Sequence, residues 1–445
     1  MSIVKDGLKI AIIGAGSGYT PEIVEGFIKT YHQMPVKELW FVDIEEGREK
    51  LEVVTSLSNR IVKKSNKPIH IISTFNRKEA LKEADFVLTQ FRVGQLTARE
   101  KDENIPLKYE TIGQETNGPG ELFKAFRTIP VMIDIANEMS ELCPKAWLIN
   151  FANPAGMLSE AVLNHTSWKR IVSICNGPLL IKQRIANALD VTIERLFVEI
   201  VGLNHLVFAK RILLDGKDVT SNVVKMVAEG VKPVDNPGVS DWDKDFLLGL
   251  NMIPMSYLEY YWKSKEVLEH EKHAAANEGS RAVVAKSLEK KLFEVYRDET
   301  LSETPEILKS RGGSGYSEAA CGLIYSLYND QQDIQTVNVQ NNGAIKNLSD
   351  DAVVEVNCII TNNGPIPLST GELPASINGI IQAMKSYEQV ACEAAVSGNY
   401  QRAMVAMTIN PLVSGDREAK AMLNELLLAH EEFLPQFDLQ HLKED

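Results

Sequence analysis

The chain has 445 residues, 44% of them hydrophobic and 24% charged, with 60 acidic against 47 basic side chains and a formal net charge of −13. That length predicts two closely packed domains rather than one core. The acidic balance excludes nucleic acid and anionic membrane as partners, since both select a basic face, while a phosphorylated small ligand needs only one or two local arginines.

The opening MSIVKDGLKIAIIG lacks the long apolar core of a signal peptide, and no run reaches the roughly 18 apolar residues of a membrane span. Cys143, Cys175, Cys321, Cys358 and Cys392 are too scattered for a disulfide framework, so a reduced, cytoplasmic protein is expected. Leu8–Ile13 reads as an apolar strand. The glycine-rich turn GAGSGYT follows, then a helix over 21–31 capped by Thr20 with Pro21 at its first position. ELWFVDI is a second strand ending at Asp43, an amphipathic helix covers about 45–64, and IHIIS and DFVLTQF are the third and fourth strands. A polar stretch over about 92–120 receives no element. A helix spans about 120–142, and the short strands AWLIN and RIVSICN flank another over about 156–164. Buried strands alternating with helices predict an α/β fold, with residues 1–175 as a doubly wound, Rossmann-like parallel sheet.

Residues 176–445 read as a C-terminal mixed α+β domain packed against the first. LFVEIVGLNH and LVFAKRILL are expected as antiparallel strands, and helices dominate about 218–300. Asn-Asn-Gly in IQTVNVQNNGAI signals a hairpin, and AVVEVNCIIT is a further strand. Long amphipathic helices cover about 378–397 and 416–431. The site is expected between the two parts.

Gly14, Gly16, Ser17, Gly18 and Tyr19 lie between a strand and a helix, the context of a dinucleotide-binding turn. Asp43, at the end of the second strand, is placed for a ribose hydroxyl, which suits NAD. The fingerprint is imperfect, with Tyr19 at its third glycine position and Gly18 one residue early. Cys175 and His205 each end an apolar run, where open α/β sheets gather ligands. A thiolate and an imidazole suit a divalent transition metal. On spacing alone, a small core cysteine and a hydrogen-bonded interior histidine are the favoured readings. His270 and His273 sit in a charged helical stretch that reads as a solvated face.

Seven stretches then occur in order: AIIGAGSGYTPE, QFRVGQLTAREKDENIPLKYETIGQET, NFANPAG, SICNGP, GLNHLVF, MIPMSYLEYYW and RGGSGYSEAA. Together they resemble glycoside hydrolase family 4, whose members require NAD and a divalent metal, and within it the branch acting on 6-phospho-β-glucosides. The resemblance implies that Cys175 and His205 hold Mn²⁺, with other divalent metals able to substitute. It implies that Asn153 contacts sugar hydroxyls near the metal and that Arg99 meets the phosphorylated end of the substrate. By the same resemblance Arg281 would also bind substrate and Tyr257 would be the catalytic base, with Tyr260 and Tyr261 as nearby competitors for that role. The implied chemistry is oxidation at sugar C3, removal of the C2 proton and elimination of the aglycone, with NAD regenerated. The implied substrate is a phosphorylated disaccharide or an aryl-β-glucoside 6-phosphate, and a homodimer or homotetramer is expected.

Two departures stand out. Asn176 follows the cysteine where members acting on α-linked substrates have Asp, and Gln95 replaces the second glycine of the more usual Gly-Gly. Arg92 reads as a surface or ion-pair arginine, and the 311–316 loop as a helix cap, with no role for Arg311. The competing readings are an NAD-dependent dehydrogenase of small hydroxy acids, with a lactate/malate-type first domain and no metal, and a catalytically silent NAD sensor.

Overall fold

The computed structural model describes residues 7–231, 242–311 and 315–443. The first part alternates β1 (Leu8–Ile13), α1 (Thr20–Lys29), β2 (Val36–Val42), α2 (Arg48–Ser65), β3 (His70–Thr74), α3 (Arg77–Leu81), β4 (Phe86–Thr89), α4 (Gln95–Leu107), α5 (Gly118–Leu142), β5 (Trp147–Asn150), α6 (Ala155–His165), β6 (Ile171–Ser173) and α7 (Gly177–Ala188). An antiparallel pair follows, β7 (Leu196–Leu203) and β8 (Leu206–Leu214), with β9 (Lys217–Asp218) beside it. Next come α8 (Thr220–Ala228), α9 (Lys244–Leu250), β10 (Ile253–Pro254), α10 (Glu259–Trp262), α11 (Ser264–Asn277), α12 (Arg281–Tyr296) and α13 (Tyr316–Asn329). The chain continues through β11 (Ile334–Gln340), β12 (Val353–Thr361) and β13 (Gly364–Pro367), then α14 (Ala375–Ser397), α15 (Tyr400–Ile409) and α16 (Asp416–Ala429).

Strands β3-β2-β1-β4-β5-β6 lie in that order and all run parallel. The order reverses between β1 and β4, the kind of switch point at which doubly wound sheets bind ligands. Ile10, Ala11, Ile12, Val87, Leu88, Leu148 and Ile149 are wholly buried, as strands covered by helices on both faces must be. The sheet does not stop at β6. β11 pairs antiparallel with it, Asn338 opposite Ser173, and β12 and β13 extend the sheet to nine strands. Strands from both parts of the sequence therefore share one sheet.

Several local expectations change. Thr20 is inside α1 rather than its cap: its hydroxyl donates to Ala15 O at 2.8 Å and accepts from Gln90 Nε2 at 2.7 Å, so it ties the turn to the end of β4. The polar stretch after residue 92 contains α4, whose buried face includes Asp102 and Glu103 beside Leu96, Ala98 and Ile105; charged residues on the inner face hid the apolar period. The Asn-Asn-Gly turn does lie between antiparallel strands, but the second is β12, not the Ala344–Ile345 run beside it. Asn341 is buried and donates to Ile345 O and Leu348 O, which shapes that loop. The short helix α15 was also unassigned. In the 311–316 loop, Gly312, Gly313 and Ser314 lie outside the described residues, as does 232–241 of the helical stretch.

Gln95 has φ +52°. That left-handed backbone costs a side chain about 1–2 kcal/mol, and a glycine there would lose about 0.5–1 kcal/mol in extra unfolded-state freedom. Gln95→Gly is expected to raise stability by up to about 1 kcal/mol, read as a higher urea midpoint at unchanged slope. A β-branched Gln95→Val is expected to lower the midpoint.

Candidate active site

The turn after β1 is a cradle that a side chain would fill. Gly14 has φ +85°, and a Cβ there would lie 2.7 Å from Phe91 backbone atoms. Gly16 donates its N–H to Asp43 Oδ2 at 2.7 Å, and a Cβ on Gly16 would meet the same oxygen. Ser17 N–H closes the turn on Gly14 O, Ser17 Oγ accepts from Tyr19 N–H at 3.3 Å, and Gly18 O accepts the Tyr296 hydroxyl at 2.6 Å. Burial raises the Asp43 pKa against the opposing pull of the Ile44 and Gly16 N–H groups. The acid thus braces the turn as well as standing at the β2 end, where a ribose would lie. Bare backbone at Gly14 and Gly16, before the N-terminus of α1, fits a dinucleotide pyrophosphate.

Cys175 follows β6, with the Gly177 N–H 3.4 Å from its sulfur. Burial, then the charge of Glu355, pushes its thiol pKa up, opposed by Gly177 N–H and the Asn204 side chain. His205 sits in the tight β7–β8 turn with φ +63° and is buried. Its Nδ1 is 3.5 Å from Thr116 O, which leaves Nε2 to meet a ligand. Burial lowers its pKa to about 4, so the imidazole is neutral, the form a metal binds. The Tyr257 ring stacks on it at 4.5 Å and 16°. Burial, then Cys175 and Glu115, raises the phenol pKa, while the Thr116 hydroxyl and Arg99 pull it down. The donor set of one thiol and one neutral imidazole fits a divalent transition metal. Two such side chains would hold the ion and leave positions for substrate oxygens.

Four consecutive residues organise this region. Gln114 Nε2 donates to Tyr260 OH at 2.7 Å and Asn117 Nδ2 to Tyr261 OH at 3.0 Å, which ties both tyrosines to the loop. Between them Thr116 meets His205, and Glu115 meets three cations: Arg99 at 2.7 Å, Lys124 at 2.8 Å and Arg92 at 3.0 Å. Burial opposes the Glu115 charge, but the three cations outweigh it and hold the carboxyl well below its ordinary range. Burial lowers Lys124 to about 8 despite Glu115. Burial also opposes the charge of Arg99, which Glu115 and Glu103 nevertheless hold above its ordinary pKa.

Arg99 is near enough to Tyr257 to pull its phenol pKa down, and its Nε also donates to Glu103 at 2.7 Å. Glu103 accepts from the Ala282 N–H at 2.6 Å, which places Arg281, at the exposed start of α12, at the next residue. Asn153 is half-buried and precedes Pro154 through a cis peptide, between β5 and α6. His270 and His273 are exposed on α11. Glu103, Glu115, Thr116 and Lys124 were not singled out from the sequence. The signal was present in the polar, glycine-bearing run YETIGQETNGPG, where acids and amides crowd between two helices.

Residues 9–191 match the profile described as "Family 4 glycosyl hydrolase", and residues 200–413 match "Family 4 glycosyl hydrolase C-terminal domain". The chain is 54% identical over 433 residues to a probable 6-phospho-β-glucosidase of Bacillus subtilis (strain 168), covering 97% of this chain and 98% of that one. It is 44% identical to a 6-phospho-β-glucosidase of Escherichia coli (strain K12), covering 97% of each. The fold superposes with a TM-score of 0.88 and 34% identity on the 6-phospho-β-glucosidase of Thermotoga maritima solved with manganese, NAD⁺ and glucose 6-phosphate, covering 96% of this chain and 99% of that one.

A metal ion held by Cys175 and His205 would have to displace the Cys175 thiol proton, whereas His205 is already neutral above about pH 4. Mn²⁺ affinity of the substrate-free protein is therefore expected to rise with pH, about tenfold per unit between pH 6 and 8. Calorimetry in buffers of different ionisation heat should count one proton released per ion, and Cys175→Ser should sharply reduce affinity. Gly14→Ala should weaken NAD binding at least about tenfold, since a methyl on that turn both clashes and strains the backbone.

Proposed function

The chain belongs to family 4 of the glycosyl hydrolases, and we propose that it is a 6-phospho-β-glucosidase that uses NAD and a divalent metal. What carries the reading is the meeting, at one end of the sheet, of a dinucleotide cradle with a Cys175/His205 pair faced by the half-buried Tyr257. A glycosidase needs such a cradle only when redox chemistry is part of bond cleavage. Residues 1–175 would hold the cofactor, and 176–445 would supply His205, Tyr257, Arg281 and the oligomer contacts of a homodimer or homotetramer. Strong likeness to 6-phospho-β-glucosidases along nearly the whole chain supports the β-linked branch, and so does Asn176, which carries no carboxylic proton to donate. The substrate class is a phosphorylated disaccharide or an aryl-β-glucoside 6-phosphate.

When bound, the dinucleotide would exchange hydride at sugar C3 and the metal would add positive charge beside the C3 oxygen. The protein's own residues do the rest. Arg99, supported by Glu103 and Glu115, presents a fixed guanidinium to the substrate phosphate. Asn153 orients the sugar hydroxyls, and Arg281 closes on the substrate from the start of α12. Tyr257, once ionised to the phenolate with its own proton lost to solvent, takes the C2 proton on its oxygen. Its ordinary pKa near 10 is raised by burial here, so the phenol becomes a usable base only as positive charge arrives beside it. His205 under its ring and Arg99 beside it set where that charge acts.

The test is p-nitrophenol release from p-nitrophenyl-β-glucoside 6-phosphate after chelation and cofactor stripping, with NAD⁺ and Mn²⁺ added back singly and together. Many turnovers per NAD⁺, only with both present, are expected. Stoichiometric NADH on small hydroxy acids, with no release from the glucoside, would instead give the protein to the dehydrogenases. Tyr257→Phe is expected to lower kcat by about 10²–10⁴ while glucose 6-phosphate still binds.

A further inference from the structure

Among the described residues, Arg127 on α5 is the largest side chain that is almost completely buried. Its guanidinium grips Asp102 of α4 with both prongs, at 2.9 and 2.6 Å, and its Nε points to Val93 O at 3.4 Å, just before α4. Each side chain of the pair is only 1% exposed. A third group comes from the far end of the chain: His430, after α16, sets its Nε2 2.9 Å from Asp102 Oδ1 and its ring 5.7 Å from that of Phe123. Lys101 donates to Ala429 O at 2.6 Å, and Phe433 packs where a Gly94 side chain would stand.

Sealing two opposite ions away from water generally costs as much as their attraction returns, and a well-packed apolar pair is often at least as stable. What the two-pronged contact adds is geometry, since it permits one alignment of α4 against α5. Arg99 lies one turn before Asp102, and Glu103 directly follows it. A roll of α4 by about 10° would carry a side-chain tip at the helix rim by about 1 Å, enough to spoil a fixed binding geometry.

We infer that Asp102, Arg127 and His430 form a positioning unit that sets the roll of α4 and thereby aims Arg99 at the substrate's phosphate. The inference rests on the reading of Arg99 as a phosphate contact. Asp102, Arg127 and His430 are positioning residues, because none reaches the reacting atoms.

The test compares parent, Arg127→Lys, the double variant Asp102→Asn with Arg127→Met, and Arg99→Ala. Melting temperature, NAD⁺ affinity, glucose 6-phosphate affinity by calorimetry, and kcat and KM on p-nitrophenyl-β-glucoside 6-phosphate are read for each. The double variant removes both charges, leaves His430 an acceptor and fills most of the guanidinium's space. It is expected to melt near the parent and bind NAD⁺ within twofold, yet to show at least tenfold weaker glucose 6-phosphate binding and a matching rise in KM, with a smaller change in kcat. Arg127→Lys, which keeps the charge and loses the second prong, is expected to shift the same quantities in the same direction. Should the double variant fail to fold, Arg127→Lys alone decides. Parent-like phosphate affinity in a folded pair variant, beside weakened binding in Arg99→Ala, would overturn the positioning role alone. Unchanged binding in Arg99→Ala would overturn the premise and the inference with it.

Discussion

One buried carboxylate holds the site together. Glu115 meets Arg92, Arg99 and Lys124 at hydrogen-bond distance, and all the charges but that of Arg92 are almost fully withdrawn from water. Removing a partner from such a cluster typically costs about 3–5 kcal/mol, because the ions left behind keep their burial and lose their counter-charge. The surplus of positive charge around one acid is the electrostatic character that a phosphorylated substrate needs. Because Glu115 is followed by Thr116, the residue that fixes the cations is also covalently next to the one that fixes the His205 ring. The placing of the cations and the orientation of the His205 ring thus share one stretch of backbone.

The two ends of the site are built on opposite electrostatic logic. At the dinucleotide end the fixed charge is negative: Asp43 binds its own glycine turn and closes the end of β2. At the substrate end the fixed side-chain charge is positive, and the neutral imidazole and half-buried thiol stand between. The thiol, its pKa raised by desolvation, gives up its proton only to something that repays it.

Legibility in the sequence followed the range of the interactions. The glycine turn, Asp43 and the parallel strands are local patterns, in which each residue's meaning depends on neighbours a few positions away, and they read correctly. Cys175 and His205 were ambiguous as isolated residues and gained meaning only from the ordered motifs around them. Glu115 lay inside one of those motifs but is an acid in a polar run, and nothing nearby says that three cations will converge on it from residues 92, 99 and 124. Asp102, Arg127 and His430 were invisible for the stronger reason that their partners span more than 300 positions of chain. α4 was missed because its inward face is partly ionic, which defeats a reading that equates inward with apolar.

The nine-stranded sheet carries a mechanical consequence. Two lobes that close on a ligand must be joined by strands of chain that bend, whereas here the cofactor strands and β11–β13 are welded edge to edge through the Asn338–Ser173 pairing. Bending that seam would break backbone pairing between two fully buried residues. Motion that admits substrate is cheaper in the helices and turns around the rim than across this sheet. In the proposed reaction the dinucleotide ends each cycle oxidised, as it began, so it has no need to leave, and a sheet continuous across both parts of the chain suits keeping it.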